Sequence, residues 1–275
     1  MAVLFKASDH SYKSIDQNEN INWMSVTKFV SLFKPKFDAI ATSIKVSKNK
    51  KSKWYGMDPE VIRDYWEQES KRAVDTGSFY HDQRESDLLS HDTLQREGVQ
   101  IPIIKPIIEG EYKYAPAQRL TEGIYPEHFV FLKSAGLCGQ SDRVEVVKGV
   151  IDVIDYKTNK EIKTEGFRNW KNETQKMLGP CSHLDDCNYN HYALQLSTYM
   201  YIMLKHNPQY DPGQLMLHHV IFEKEGDDKL GYPILKYDDN NHPIVAEIVP
   251  YEVPYLRDEV ISMINYIKEN DITKA

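Results

Sequence analysis

Residues 139–158 read GQSDRVEVVKGVIDVIDYKT, two short runs rich in β-branched residues with Gly149 between them. A glycine in that position marks a hairpin turn, so 143–148 and 150–158 are predicted to pair as antiparallel strands. Alternate side chains of a strand share a face, which sets Ile151, Val153, Asp155 and Lys157 on one side and Val150, Ile154 and Tyr156 on the other. Closing the hairpin in the simplest register brings Asp142, at the near end of the partner strand, round to Asp155 and Lys157. Two carboxylates and one ammonium then meet at the end of an otherwise apolar pair of strands.

Carboxylates held close repel, and burying them uncompensated costs on the order of several kcal/mol. A divalent cation such as Mg²⁺ or Mn²⁺ removes the difficulty, because it takes hard oxygen ligands, usually one or two carboxylates with water and a substrate phosphate. Such an ion polarises a phosphoryl oxygen and acidifies a bound water, while the lysine adds charge where the transition state needs it. The constellation therefore points to hydrolysis of a phosphodiester. A cross-paired couple on an exposed edge strand accounts for Asp155 and Lys157 as well.

With 275 residues, 41% apolar and 27% charged, the chain has the composition of a soluble globular protein with ample length for a core. No apolar run approaches the roughly 18 residues of a membrane span, and the N-terminus lacks a basic-then-apolar signal pattern, so no membrane partner and a cytoplasmic location are expected. Cys138, Cys181 and Cys187 cannot all pair with one another and read as reduced thiols. A net charge of −7 argues against indiscriminate coating of nucleic acid. Positive charge is nevertheless concentrated in one place. Residues 39–57 contain no acid but include Lys45, Lys48, Lys50, Lys51 and Lys53, followed by Trp54 and Tyr55. Lysines beside aromatics suit a groove that tracks a nucleic-acid backbone, and a solvated loop explains the same letters.

In chain order, 3–15 is predicted as a hairpin turning near Asp9 and His10, and Ser25 as the N-cap of a helix from 26 to about 33. A second helical piece follows at about 37–44. Asp58, Pro59 and Glu60 make a strong helix start, with that helix running to about 74. Gly77 interrupts before a further helix through Leu89, on which His81 and Glu85 share a face. Residues 98–126, with four prolines, read as irregular or edge structure, and 127–132 as a strand. The polar, irregular stretch 163–186 is read as a mobile loop over the site. Residues 188–207 form a long helix, apolar nearly all round, with Gln195 and Tyr199 on one face: either a satisfied core pair or the lining of a cleft. Strands at 215–223 and 233–237 and a helix at 259–269 complete the pattern. No internal repeat or clear boundary appears.

Four short segments occur in an order that resembles the PD-(D/E)XK nuclease superfamily, in its RecB-like exonuclease branch found in phages and recombination machines. They are AVDTGSFYH ending in His81, GQSD with Asp142, IDYKT with Asp155 and Lys157, and QLSTY with Gln195 and Tyr199. The resemblance spans about residues 73–201, and SVTKF around Ser25 is similar to the family's N-terminal region. It implies an α/β fold: a restriction-endonuclease-like mixed central β-sheet flanked by helices, with a helical N-terminal extension. One nuclease domain over 1–275 is implied, mainly helical over 1–75, with the catalytic core at 76–206 and strands and a helix at 207–275.

It further implies that His81, Asp142, Asp155 and the Tyr156 carbonyl bind Mg²⁺ or Mn²⁺, and that Lys157 positions water or stabilises charge. Gln195 and Tyr199 would contact DNA, and Glu85 matches a common acidic position. Some relatives hold an iron–sulfur cluster on four cysteines, one upstream of the core. With three cysteines and none before His81, no such cluster is expected here. Cys181, His183, Cys187 and His191 have irregular spacing for zinc.

The activity implied is that of a metal-dependent DNA exonuclease acting on a free end in bacterial or phage replication, recombination or repair. A structure-specific endonuclease and a non-catalytic DNA-binding scaffold are the alternatives. Small-nucleotide hydrolysis is disfavoured, because no Walker-type phosphate loop is present.

Overall fold

The computed structural model describes residues 3–6, 11–14, 21–96 and 98–272. Before the central hairpin come β1 (Val3–Lys6), β2 (Ser11–Ser14), β3 (Met24–Ser25), β4 (Thr93–Arg96), β5 (Val99–Pro102), β6 (Ile107–Glu109), β7 (Tyr112–Tyr114) and β8 (Gly123–Leu132). The hairpin is β9 (Leu137–Val147) and β10 (Val150–Lys157). After it come β11 (Asp211–Phe222), β12 (Lys224–Asp227), β13 (Pro233–Leu235) and β14 (Val245–Val253). The helices are α1 (Val26–Ser31), α2 (Ala39–Lys48), α3 (Pro59–Leu89), α4 (Asn188–His206) and α5 (Arg257–Glu269).

Lys148 and Gly149 both have positive φ, 50° and 83°, so β9 and β10 are joined by a two-residue turn whose twist matches the strands. The register sets Val144 opposite Val153 and Val146 opposite Ile151, and all four are fully buried. β10 pairs in parallel with β11, and β11 antiparallel with the edge strand β14. β9 gives one edge to β8 along its length and shares the other between β10 and the short parallel β3. The central sheet is therefore mixed, and the fold is of the α/β class.

Helices cover both faces of this sheet. On one, Phe29 of α1, Leu194 and Met200 of α4 and Met263 of α5 pack with Ile151, Val153 and Leu217 in a single core. On the other, Tyr80 of α3 packs against Ile154, Tyr156 and Val220. A smaller sheet, β2-β1-β7-β6, leans on β8 through Phe5 and Phe129, whose ring centres are 5.5 Å apart. Strands β1 and β2 pair as expected, and their turn lies outside the described residues.

Three expectations differ from what is observed. The helix starting at Pro59, capped by Asp58, runs 31 residues straight through Gly77 instead of ending near 74. A Cβ at Gly77 would sit 3.2 Å from Thr158 Oγ1, so the glycine marks a close approach of helix to strand end. Its helix-propensity penalty of about 1 kcal/mol is offset by packing on either side. The 98–126 stretch, expected as irregular or edge structure, holds β5, which pairs with β4, the β6–β7 hairpin at the edge of the smaller sheet, and the start of β8. Finally, 163–186 is tied into the body of the protein. Met177 and Cys181 are buried in the main core, and Leu178 N–H donates to Phe33 O at 2.8 Å.

Among the described residues no helix is long and apolar enough to cross a membrane.

Candidate active site

The two-residue turn fixes the register, and extending it one step beyond Arg143–Ile154 sets Asp142 opposite Asp155 at the far end of the hairpin. Tyr156 N–H donates to Asp142 Oδ2 at 2.7 Å, which holds that carboxylate across the strand gap. Asp142 and Asp155 are only 8% and 2% exposed. Lys157, on the same face of β10 as Asp155, forms an ion pair with its Oδ2, an atom that finds no other donor. Its ammonium lies 4.9 Å from the centre of the Tyr192 ring on α4.

His81 reaches the same point from α3, on the opposite face of the sheet. Its Nδ1 is 3.3 Å from Asp142 Oδ2 and its Nε2 is 3.1 Å from the Tyr156 carbonyl oxygen. With both ring nitrogens against acceptors, the imidazolium is the form that satisfies the site. Burial opposes the charge, but Asp142 beside it outweighs burial and lifts the His81 pKa to about 9. Asp142 is held below the usual carboxylate range: burial would raise it, and His81, Lys157 and the Tyr156 amide more than compensate. Burial pushes Asp155 up to about 6, with Asp142 adding to the rise and Lys157 limiting it. Burial also works against the Lys157 ammonium, yet Asp155 and Asp142 raise its pKa above the ordinary lysine value.

A further acid joins this group that the sequence reading passed over. Glu127 sits in β8 between two registered pairs, Pro126–Arg143 and His128–Ser141, and so opposite Asp142. Its φ of 46° is left-handed, a conformation that costs a non-glycine residue on the order of 1–3 kcal/mol and clusters at functional sites. Ligand atoms of His81, Glu127 and Asp142 all lie within 4.8 Å of one another, and among the described residues no other such group of three forms. Burial, reinforced by Asp142, drives the Glu127 pKa well up. The only local sign in the sequence is an acid inside the apolar run GIYPEHFVFL.

The donor set suits a divalent cation: one imidazole nitrogen and two carboxylates, with the Tyr156 carbonyl next to them. His81, which bridges Asp142 and that carbonyl, would bind such an ion only as the neutral imidazole, so metal binding would release the proton that Asp142 favours. Asp155 is outside the trio of candidate ligands and serves instead as counter-ion to Lys157. The cluster opens into a cleft of about 550 Å³ bordered by Gly77, Glu85 and Lys113. Glu85 shares the face of His81 but is engaged in an ion pair with Lys113.

The remaining predicted residues fall elsewhere. Gln195 Nε2 donates to Tyr199 Oη at 3.2 Å and Thr27 Oγ1 at 3.4 Å. Tyr199 is 3% exposed, so it offers a strand no surface and stands behind the site against Gly139. Lys45 and Lys48 are on the exposed side of α2, and Lys50 and Lys51 in the turn after it. Lys53 lies over the rings of Trp54 and Tyr232. Cys181 and Cys187 are buried thiols while His183 and His191 pair with Glu259 and Asp186, so these four do not gather round a metal.

No family model matches the sequence, and no curated protein does. Among solved structures the chain is similar to the crystal structure of SSO0001, at 12% identity and a TM-score of 0.33, over 95% of this chain and 81% of that one.

Proposed function

We propose that this chain is a divalent-cation-dependent deoxyribonuclease of the PD-(D/E)XK type, RecB-like branch, and that it degrades DNA from a free end. One observation carries the reading. Three acids, a histidine and a lysine from α3, β8, β9 and β10 converge where β9 parts from β10 in a mixed sheet. The four sequence motifs and a sheet covered by helices on both faces support the same reading.

His81, Glu127 and Asp142 are the residues to hold Mg²⁺ or Mn²⁺, with the Tyr156 carbonyl as a neighbouring donor. A cation bound there would polarise a phosphoryl oxygen and acidify a bound water. The protein's own part is positional. Tyr156 N–H locks Asp142, and Asp155 fixes the Lys157 ammonium so that its charge faces the oxygens of a scissile phosphate without reorganising. Asp155, pushed by burial up to about 6, is still a carboxylate at neutral pH and would keep the Lys157 ammonium in place.

The test is digestion of end-labelled linear and closed circular DNA with Mg²⁺, Mn²⁺ or chelator. Linear DNA is expected to be degraded only with metal, and Asp142→Asn or Lys157→Ala to reduce the rate by at least about a hundredfold with the fold intact. Nicking of closed circles would identify an endonuclease. Metal-independent cleavage, or full activity in both variants, would refute the site, and a chain that binds DNA without cutting it would be a scaffold.

A further inference from the structure

Beyond the contact of Gly77 with Thr158, α3 and the end of β10 diverge around a second hollow of about 340 Å³. One face of α3 supplies Trp66, Ser70 and Ala73, at spacings of four and three that align on a helix. Phe222 closes it at the end of β11, and Tyr232 comes from the loop joining β12 to β13. Ser70 and Ala73 are small, so the floor stays open between the rings. Trp66 and Tyr232 both pack on Trp54, at ring separations of 5.9 and 6.5 Å, and Trp54 is itself buried. The aromatic walls are thereby held in place.

The rim is cationic. Lys160 Nζ donates to the Gly231 carbonyl at 3.0 Å, and Lys53 Nζ to the adjacent Leu230 carbonyl at 2.6 Å. Neither ammonium has a carboxylate at ion-pair distance among the described residues. Asp228, in the same turn, is taken up by the Tyr65 hydroxyl and by the N–H groups of Leu230 and Tyr232. Burial, then repulsion from Lys160, lowers the Lys53 pKa, against the opposing pull of Asp228 and Glu69. Glu69 and Arg72, ion-paired with each other, also line the hollow. Three cations, Lys53, Arg72 and Lys160, therefore face two acids, Glu69 and Asp228, a small local excess of positive charge on a chain of net charge −7.

An apolar floor, fixed aromatic faces and two ammoniums without a direct ion pair match a flat heteroaromatic ring carrying a phosphate. We propose that this hollow takes one unstacked base of a DNA strand whose adjacent phosphate is held by Lys160 and Lys53. A paired base cannot enter, so the strand is single-stranded or frayed where it passes Thr158. The inference rests on the nuclease reading for its role, since Thr158 directly follows Lys157, and it supplies what that reading lacks, a preference for unpaired substrate.

The experiment measures binding in EDTA, where no cleavage can occur, by fluorescence anisotropy. It uses a labelled oligothymidylate of about 12 nucleotides and, separately, a blunt duplex of similar length. Trp66→Leu and Ala73→Leu are compared with wild type. Ala73 is exposed on the floor, so Ala73→Leu fills the hollow without entering the core and guards against a folding defect in Trp66→Leu. Both variants are expected to lose about five- to a hundredfold in affinity for the single strand, with duplex binding unchanged. Lys160→Ala is expected to reduce the salt slope of single-strand binding by about 0.7.

Wild-type affinity in Ala73→Leu, or equal losses on single strand and duplex, would overturn the inference. Cleavage read separately with Mn²⁺ keeps the two ideas apart. Active protein with unaltered binding in the pocket variants refutes only the base site, and inactive protein with weakened binding refutes only the nuclease reading.

Discussion

Changing Glu127 to glutamine keeps the shape of the side chain and removes its charge, and the geometry predicts opposite effects with and without a divalent cation. The Glu127 carboxylate lies within 4.8 Å of ligand atoms on both Asp142 and His81. At that separation and an effective dielectric near 20, each unit-charge interaction is about 3.5 kcal/mol, so repulsion from Asp142 and attraction to protonated His81 nearly cancel. Desolvation remains, the largest of the influences holding the Glu127 pKa well above the usual carboxylate range. A carboxyl whose folded pKa is raised destabilises the native state above its unfolded pKa, and the penalty fades as pH falls.

Glutamine escapes that penalty. In EDTA at neutral pH Glu127→Gln is expected to gain about 1–2 kcal/mol, a rise in Tm of about 2–8 °C. Metal reverses the order. At a hundred times its Kd, Mn²⁺ stabilises wild type by about 2.7 kcal/mol, whereas a site weakened a hundredfold gains about 0.4 kcal/mol at the same concentration. Thermal melts followed by circular dichroism in EDTA and in Mn²⁺ measure both quantities. A variant that melts below wild type in EDTA, or that gains as much from Mn²⁺, would refute the placement of Glu127 among the ligands.

Three further outcomes follow from the packing. Asn207 is fully buried, accepts from Leu120 N–H and donates to the carbonyls of Gln118 and Met203, so Asn207→Ala is expected to cost about 2–4 kcal/mol, read as a lower urea midpoint at unchanged m. A Cβ at Gly139 would meet Tyr199 Cε1 at 2.8 Å and Val26 Cγ2 at 3.2 Å, so Gly139→Ala is expected to cost about 1–3 kcal/mol by chemical denaturation. Adding Tyr199→Leu should recover part of that loss if the two sites are in contact. Cys138, Cys181 and Cys187 are buried, and burial raises their pKa values, so Ellman's reagent at pH 8 should find no reactive thiol in the native protein and three in guanidinium.

Features with local causes could be read directly from the sequence. The β9–β10 hairpin follows from a Lys-Gly turn between β-branched runs, the start of α3 from Asp58 and Pro59, and α4 from its apolar surface. What escaped depends on residues distant in the chain. Gly77 looks like a helix break, and only the presence of Thr158 beside it shows that the glycine serves close packing. Glu127 acquires its place from a partner strand and a left-handed backbone that no short window reveals. β14 escaped because most of it is exposed and its side chains alternate weakly. The acid–lysine pair on β10 was legible, but the division of labour was not, since only the fold sets Asp155 against Lys157 while His81, Glu127 and Asp142 draw together.

The unbroken course of α3 has one more consequence. Ala73, on the floor of the aromatic hollow, and His81, at the acidic cluster, stand eight residues apart on one rod, about 12 Å at 1.5 Å per residue. That interval is a ruler cut into the backbone, and a tug on either mark reaches the other without passing through a loop. Inserting a single residue between them would swing one mark about a quarter-turn away from the other, leaving every side chain present and the gauge useless.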